Sequence, residues 1–183
     1  AVRDLSSSAH QPLVAPGGEG MLAYNGEVYD VAPLRAELAR EGAVFAGTGD
    51  AEVVLHALAR WGVERAVRRF DGMFAFAWWD ARERALWLVR DRFGIKPLHV
   101  ARTGDRLAFA SELRGLRALR GVAARPDLLE LARRVLPGLV DESRPPFEGV
   151  ESVLAGEAWC CTRRGVERRT WWSLEQDLDV AVR

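Results

Sequence analysis

Met21-Leu22-Ala23-Tyr24-Asn25-Gly26-Glu27-Val28-Tyr29-Asp30 decides how the chain folds on paper. The first four residues are an apolar run that suits a buried strand, and the polar cluster beginning at Asn25 ends it. Asn-Gly after such a run is the familiar signal of a two-residue hairpin. The return arm is short, however. After Val28-Tyr29, Asp30 and Pro33 announce a helix, one as a cap and the other in the first turn. A second reading is chemical. Asn25 offers a side-chain amide N–H, and Gly26 offers a backbone N–H that a ligand can approach closely because glycine has no Cβ. Two donors aimed at one point are what an oxyanion hole needs. Beside them, Glu27 and Asp50 are carboxylates suited to an ammonium group. Asp50, at the end of Gly47-Thr48-Gly49-Asp50, is equally suited to capping the helix that follows.

Outward from this stretch, Val31, Leu34 and Leu38 recur at helical spacing, with Arg35, Glu37 and Arg40 on the outer side and Gly42 as the stop. A second helix starts near Asp50, turns Val54, Leu55 and Leu58 inward, and closes at Trp61-Gly62. A third, shorter one carries Val63, Ala66, Val67 and Phe70. Met73 to Trp79 is a dense aromatic and alanine run, read as a central strand covered on both faces. Ala85 to Val89 is its partner. Leu98 to Ala101 and Leu107 to Ala110 form another pair around Thr103-Gly104-Asp105. Four strands in close succession imply an antiparallel meander. The charged connection Arg90-Asp91-Arg92 with Lys96 lacks a glycine-rich phosphate cradle and reads as a solvated or salt-bridged loop. Helical spacing returns through Leu113, Leu116 and Leu119, then from Asp127 through Leu128, Leu131 and Val135 to Pro137-Gly138. Residues 157–162 and 166–172 make a hairpin.

With 183 residues, 49% of them hydrophobic, the chain suits one domain with a sizeable core. Its 26 basic residues balance 26 acidic ones, so no global field favours nucleic acid or an anionic membrane. Nothing in it has the length of a membrane span or the layout of a secretory signal, and it reads as cytoplasmic. Cys160 and Cys161 are neighbours, which argues against a disulfide framework, and neither has the look of a nucleophile. His10, His56 and His99 lie too far apart for a metal site.

Leu22 to Asp30 resembles the "NGEIYN" segment of the class II, N-terminal-nucleophile glutamine amidotransferase domain of asparagine synthetases. Further matches follow in the family's order: Gly47 to Val53 is similar to its "SDTEV" segment, and Phe70 to Ala77 to its "GMFAFA" strand. Arg90 to Leu98, Phe109 to Leu113 and Pro145 to Val150 extend the likeness. The resemblance implies an α+β fold, a four-layer αββα sandwich of the Ntn-hydrolase type with its first strand or strands missing. It implies that Asn25 and Gly26 form the oxyanion hole and that Glu27, Asp50 and Val2 bind substrate, L-glutamine. Residues 1–172 then form the glutaminase domain, and 173–183 begin a linker.

Ala1 to Leu13 is similar to a segment well inside the family's domain. The family's Arg-Leu pair, whose arginine binds the glutamine carboxylate, and the initial cysteine, whose thiol attacks glutamine with its own α-amino group as base, are both missing here. The expectation is a fragment, inactive by itself. No cofactor belongs to it; ATP and Mg²⁺ belong to a C-terminal synthetase domain that makes asparagine from aspartate, and a homodimer is the assembly envisaged. Two alternatives stay open: a catalytically silent scaffold in a β-lactam- or macrolactam-forming synthetase, or another amidotransferase of the same fold.

Overall fold

The computed structural model describes residues 10–181 apart from 120, 123, 124 and 137. In chain order the elements are β1 (Leu13–Val14), β2 (Gly20–Val28), α1 (Ala32–Arg40), α2 (Asp50–Trp61), α3 (Val63–Arg69), β3 (Gly72–Asp80) and β4 (Ala85–Arg90). Then follow β5 (His99–Thr103), β6 (Arg106–Ala110), α4 (Leu113–Arg117), α5 (Leu128–Val135), β7 (Val150–Ser152), β8 (Glu157–Thr162), β9 (Gly165–Thr170) and α6 (Leu174–Ala181). They fall into two units, Ala1–Lys96 with Ala155–Arg183, and Pro97–Leu154.

The larger unit is built on a six-stranded sheet of order β1-β2-β3-β4-β8-β9, antiparallel at every pairing. Alternation along the strands sends Leu22, Tyr24 and Val28 of β2 and Phe74, Phe76 and Trp78 of β3 to one face. There they meet Leu34 and Leu38 of α1, Val54 and Leu58 of α2, and Ala66 and Val67 of α3 in a single core cluster. The expected inner faces of these helices are therefore the real ones. Ala75 and Ala77, on the other face of β3, are also buried, as the central-strand reading requires. Gly62, at φ 75°, ends α2 and starts α3. Glu167, Arg168 and Arg169 charge the outer strand β9, which discourages pairing with another chain.

The expected four-stranded meander does not form. β3 and β4 make a hairpin in the large sheet, but β4 pairs next with β8, while β5 pairs with β6 and β7 in a separate three-stranded sheet. The chain leaves the sheet through the Arg90–Lys96 connection, which is solvated at Phe93 and Ile95 and salt-bridged from Arg92 to Asp71 at 3.4 Å, as expected, but turns its middle carboxylate inward. Asp91 is fully buried. Its Oδ1 accepts from the N–H groups of Phe93 and Ile95, both at 3.0 Å, and its Oδ2 from those of Lys96 at 3.0 Å and Phe74 at 3.2 Å. The Arg90 guanidinium donates to the carbonyls of Lys96 at 2.8 Å and Gly94 at 2.6 Å. A tight turn held from within thus diverts the chain out of the large sheet after β4.

In the smaller unit, the three strands run in the order β6-β5-β7, with Leu116 of α4 packed against Ala101 and Val150. Asp127 caps α5 by accepting from the N–H groups of Leu129 and Glu130. The helical spacing of Leu128, Leu131 and Val135 is genuine, but these residues are exposed, and the side chain turned inward is Glu130. Glu130 can be buried because Arg133 meets its carboxylate at 2.7 Å and Arg144 lies 4.0 Å away. Periodicity fixed the shared face of this helix without fixing which way it points.

His56 of α2 is 8% exposed, with its ring edge-on to Phe45 at 4.8 Å. Burial pushes its pKa below the ordinary imidazole value, outweighing the opposing pull of Glu52 and the Val44 backbone. A group whose folded pKa is depressed gives stability that is complete above its unfolded value and lost as pH falls. His56→Leu is therefore expected to flatten the decline of the urea midpoint below about pH 6.5. An unchanged acid slope would show that the ring accepts its proton in the folded state at no cost.

Candidate functional site

Asn25, Gly26 and Glu27 lie within β2 and not at its end, paired with Ala75, Phe74 and Met73 of β3. The hairpin reading is overturned, and so is the reading in which the strand stops at Tyr24. Gly26 has a structural reason to be glycine. A Cβ there would strike the carbonyl oxygen of Met73 and come within 2.6 Å of the Phe74 Cα. Phe74 directs its own backbone groups away from β2: its N–H goes to Asp91 Oδ2, and its carbonyl accepts from the Asp91 N–H at 2.8 Å. In an antiparallel ladder this makes Gly26 and Phe74 a non-hydrogen-bonded pair. The N–H of Gly26 consequently points outward from the β2 edge, as do those of Tyr24 and Val28.

Two of these outward N–H groups have identified acceptors. The Gln11 side-chain amide imitates a strand residue, with Oε1 accepting from the Tyr24 N–H at 2.5 Å and Nε2 donating to the Tyr24 carbonyl at 2.7 Å. Asp50 Oδ2 accepts from the Val28 N–H at 2.9 Å and from the Tyr24 hydroxyl at 2.7 Å. Between them, the Gly26 N–H meets no acceptor among the described residues. Two residues of strand separate it from the Val28 N–H, about 7 Å.

Asp50 is not the cap of α2. Gly49 occupies that position, and Asp50 is the first helical residue, with its carboxylate turned onto β2 and buried. Asp30 is not a cap either; Val31 is, and Asp30 takes φ 41°. The loop that delivers Asp50 is held by residues the sequence did not single out for it. Arg35 donates to the carbonyls of Gly47 at 3.0 Å and Gly49 at 3.1 Å, with its guanidinium over the Phe45 ring at 4.2 Å. Glu52 accepts from the N–H groups of Ala46 at 2.6 Å and Gly47 at 2.9 Å. Arg35, expected to face solvent from α1, is instead a clamp on this loop.

The side chains of Asn25 and Glu27 lie on the sheet face opposite Tyr24 and Val28. Asn25 is exposed and Glu27 half-buried. Thus Asp50 and Gly26 meet at one strand edge, whereas Glu27 sits beside Asn25 on the other face. Val2 lies outside the described residues. Burial, reinforced by Asp50, holds the Tyr24 phenol far above the ordinary range, so it stays a proton donor. Cys160 and Cys161 lie on β8 without a disulfide, and burial pushes the Cys160 thiol up, away from the thiolate a nucleophile needs. Among the described residues, no group of three or more His, Cys, Asp or Glu side chains is placed to hold a metal ion, and no helix is long and apolar enough to cross a membrane.

A family model described as a glutamine amidotransferase domain matches residues 1–172, and the chain belongs to that family. Among curated relatives it is 33% identical to asparagine synthetase [glutamine-hydrolyzing] 3 of Bacillus subtilis (strain 168), over 97% of this chain and 29% of that protein. It is 44% identical to a putative asparagine synthetase [glutamine-hydrolyzing] of Mycobacterium bovis, over 61% of this chain and 18% of that one. The chain thus spans less than a third of either relative. The solved glutamine phosphoribosylpyrophosphate amidotransferase of B. subtilis superposes with a TM-score of 0.66 at 19% identity, over 91% of this chain and 33% of that one. At that identity the likeness bears on fold alone, and it agrees with the α+β class expected from the sequence.

Proposed function

We propose that this chain is the glutamine-hydrolysing, ammonia-supplying domain of an asparagine synthetase, residues 1–172 forming the glutaminase and 173–183 leading towards a C-terminal synthetase domain. In this reading a cysteine thiol upstream of Ala1 attacks the side-chain amide carbon of L-glutamine. The tetrahedral adduct carries a negative oxygen, which the Asn25 amide and the Gly26 N–H stabilise. Collapse of the adduct expels ammonia and leaves a thioester, which water hydrolyses to glutamate. Asp50, at the edge that carries the Gly26 N–H, holds the α-ammonium group, and Glu27 is assigned to the substrate through the family resemblance, from the face it shares with Asn25. ATP and Mg²⁺ act in the synthetase domain, where ammonia converts aspartate to asparagine.

One observation supports this reading above the others: an outward Gly26 N–H shares one strand edge with the buried Asp50 carboxylate, which is bound at the Val28 N–H two residues, about 7 Å, further along the strand. Glutamine carries its amide and its ammonium at opposite ends of a short extended chain, which suits that spacing. In the longer protein, with its thiol in place, Asp50→Asn is expected to raise the KM for glutamine about ten- to a hundredfold, the loss of one charge-assisted contact, with kcat little changed. A KM that stays at the wild-type value removes Asp50 from the site.

A further inference from the structure

We propose that Tyr24 is a positioning residue for glutamine selection: its hydroxyl, with the Val28 N–H, fixes the Asp50 carboxylate so that Oδ1 is presented to the substrate ammonium. This rests on the role given to Asp50 above and extends it to a residue outside that set.

Both identified donors fall on the same oxygen of Asp50. The Tyr24 hydroxyl reaches Oδ2 at 2.7 Å from the helix-covered face of β2, and the Val28 N–H reaches it at 2.9 Å along the strand. Two donors from different directions remove the freedom of the carboxylate about its Cβ–Cγ bond. A carboxylate free to swing would lose conformational entropy each time it met its ligand; here that ordering is complete before the ligand arrives. Tyr24 is suited to the task because its ring is locked in the core with Leu22, Val28 and Val54. Its proton is also held firmly, since burial and the neighbouring carboxylate oppose ionisation. The acceptor comes from the first turn of α2, the donor from β2, so the hydrogen bond sets the carboxylate against the same strand that carries the Gly26 N–H.

The alternative is that this bond merely ties α2 to β2. The two roles separate by substrate. Glutarate monoamide has glutamine's amide and a carboxylate but no ammonium. In the longer protein, Tyr24→Phe is expected to raise the glutamine KM about tenfold, with kcat within about twofold of wild type and kcat/KM for glutarate monoamide unchanged. A structural tie alone would alter both substrates equally or neither, and either result overturns the proposal. Asp50→Asn run alongside distinguishes the failures. If it leaves the preference for glutamine over glutarate monoamide intact, the role of Asp50 falls and this proposal with it. If it abolishes that preference while Tyr24→Phe preserves it, only the role of Tyr24 falls. Should Tyr24→Phe not fold, para-aminophenylalanine at position 24 keeps the shape with a weaker donor. An intermediate rise in the glutamine KM alone is then expected, and equal changes for both substrates overturn the proposal.

Discussion

Asp91→Ala is expected to destabilise the protein by about 3–5 kcal/mol, most or all of the stability of an ordinary domain. The side chain is fully buried and its two oxygens accept four backbone N–H groups, from Phe74, Phe93, Ile95 and Lys96. Hydrogen bonds to a charged group are worth about 1.5–3 kcal/mol each, and four on one carboxylate overlap too closely to be summed. Asp91→Asn offers little relief. Each oxygen takes two donors, so whichever way the amide is turned, its NH2 group faces a pair of N–H groups. Chemical denaturation at neutral pH checks both variants. If Asp91→Asn unfolds within about 1 kcal/mol of wild type, the turn does not depend on the carboxylate.

The second large effect is on turnover. Asn25→Ala, in a polypeptide that includes the attacking thiol, is expected to lower kcat for glutamine hydrolysis about 10²- to 10³-fold, the usual consequence of losing one oxyanion donor. Stability should change by less than about 1 kcal/mol, because the side chain is exposed. The neighbouring position is a poor control. Gly26→Ala would drive a Cβ into the Met73 carbonyl, so its loss of activity would report a displaced strand as readily as a lost donor. Steady-state glutaminase assays beside thermal unfolding separate these cases. Wild-type kcat in Asn25→Ala would exclude its amide from the reaction.

Much of the larger unit was legible because its signals are local. Gly42 and Gly62 mark helix ends, the spacing of Leu34 with Leu38 and of Val54 with Leu58 marks inner faces, and the run at Met73–Trp79 makes a central strand wherever it falls. What stayed hidden depends on partners distant in sequence. Nothing near Ala85–Arg90 tells that the strand's second neighbour is Glu157–Thr162. Nothing in Arg90-Asp91-Arg92 distinguishes a solvated charge cluster from a carboxylate enclosed by main-chain donors. For α5 the spacing of leucines misleads about direction, because Glu130 brings its own arginine partners inside. At the candidate site, Asn25, Gly26, Glu27 and Asp50 were picked out by chemistry and resemblance, whereas Tyr24, Gln11 and Arg35 were not. Each of those three acts through a contact 12 or more residues away.

The departure of the chain from the large sheet after β4 also governs how that sheet can be completed on the ribosome. The emerging polypeptide can assemble β1 to β4 beneath their helices, yet one flank of β4 remains an unpaired row of main-chain groups until about 70 more residues have been made. Translation therefore sets a waiting period in which the nascent half-sheet is sticky, and only the arrival of β8 and the charged border strand β9 closes it.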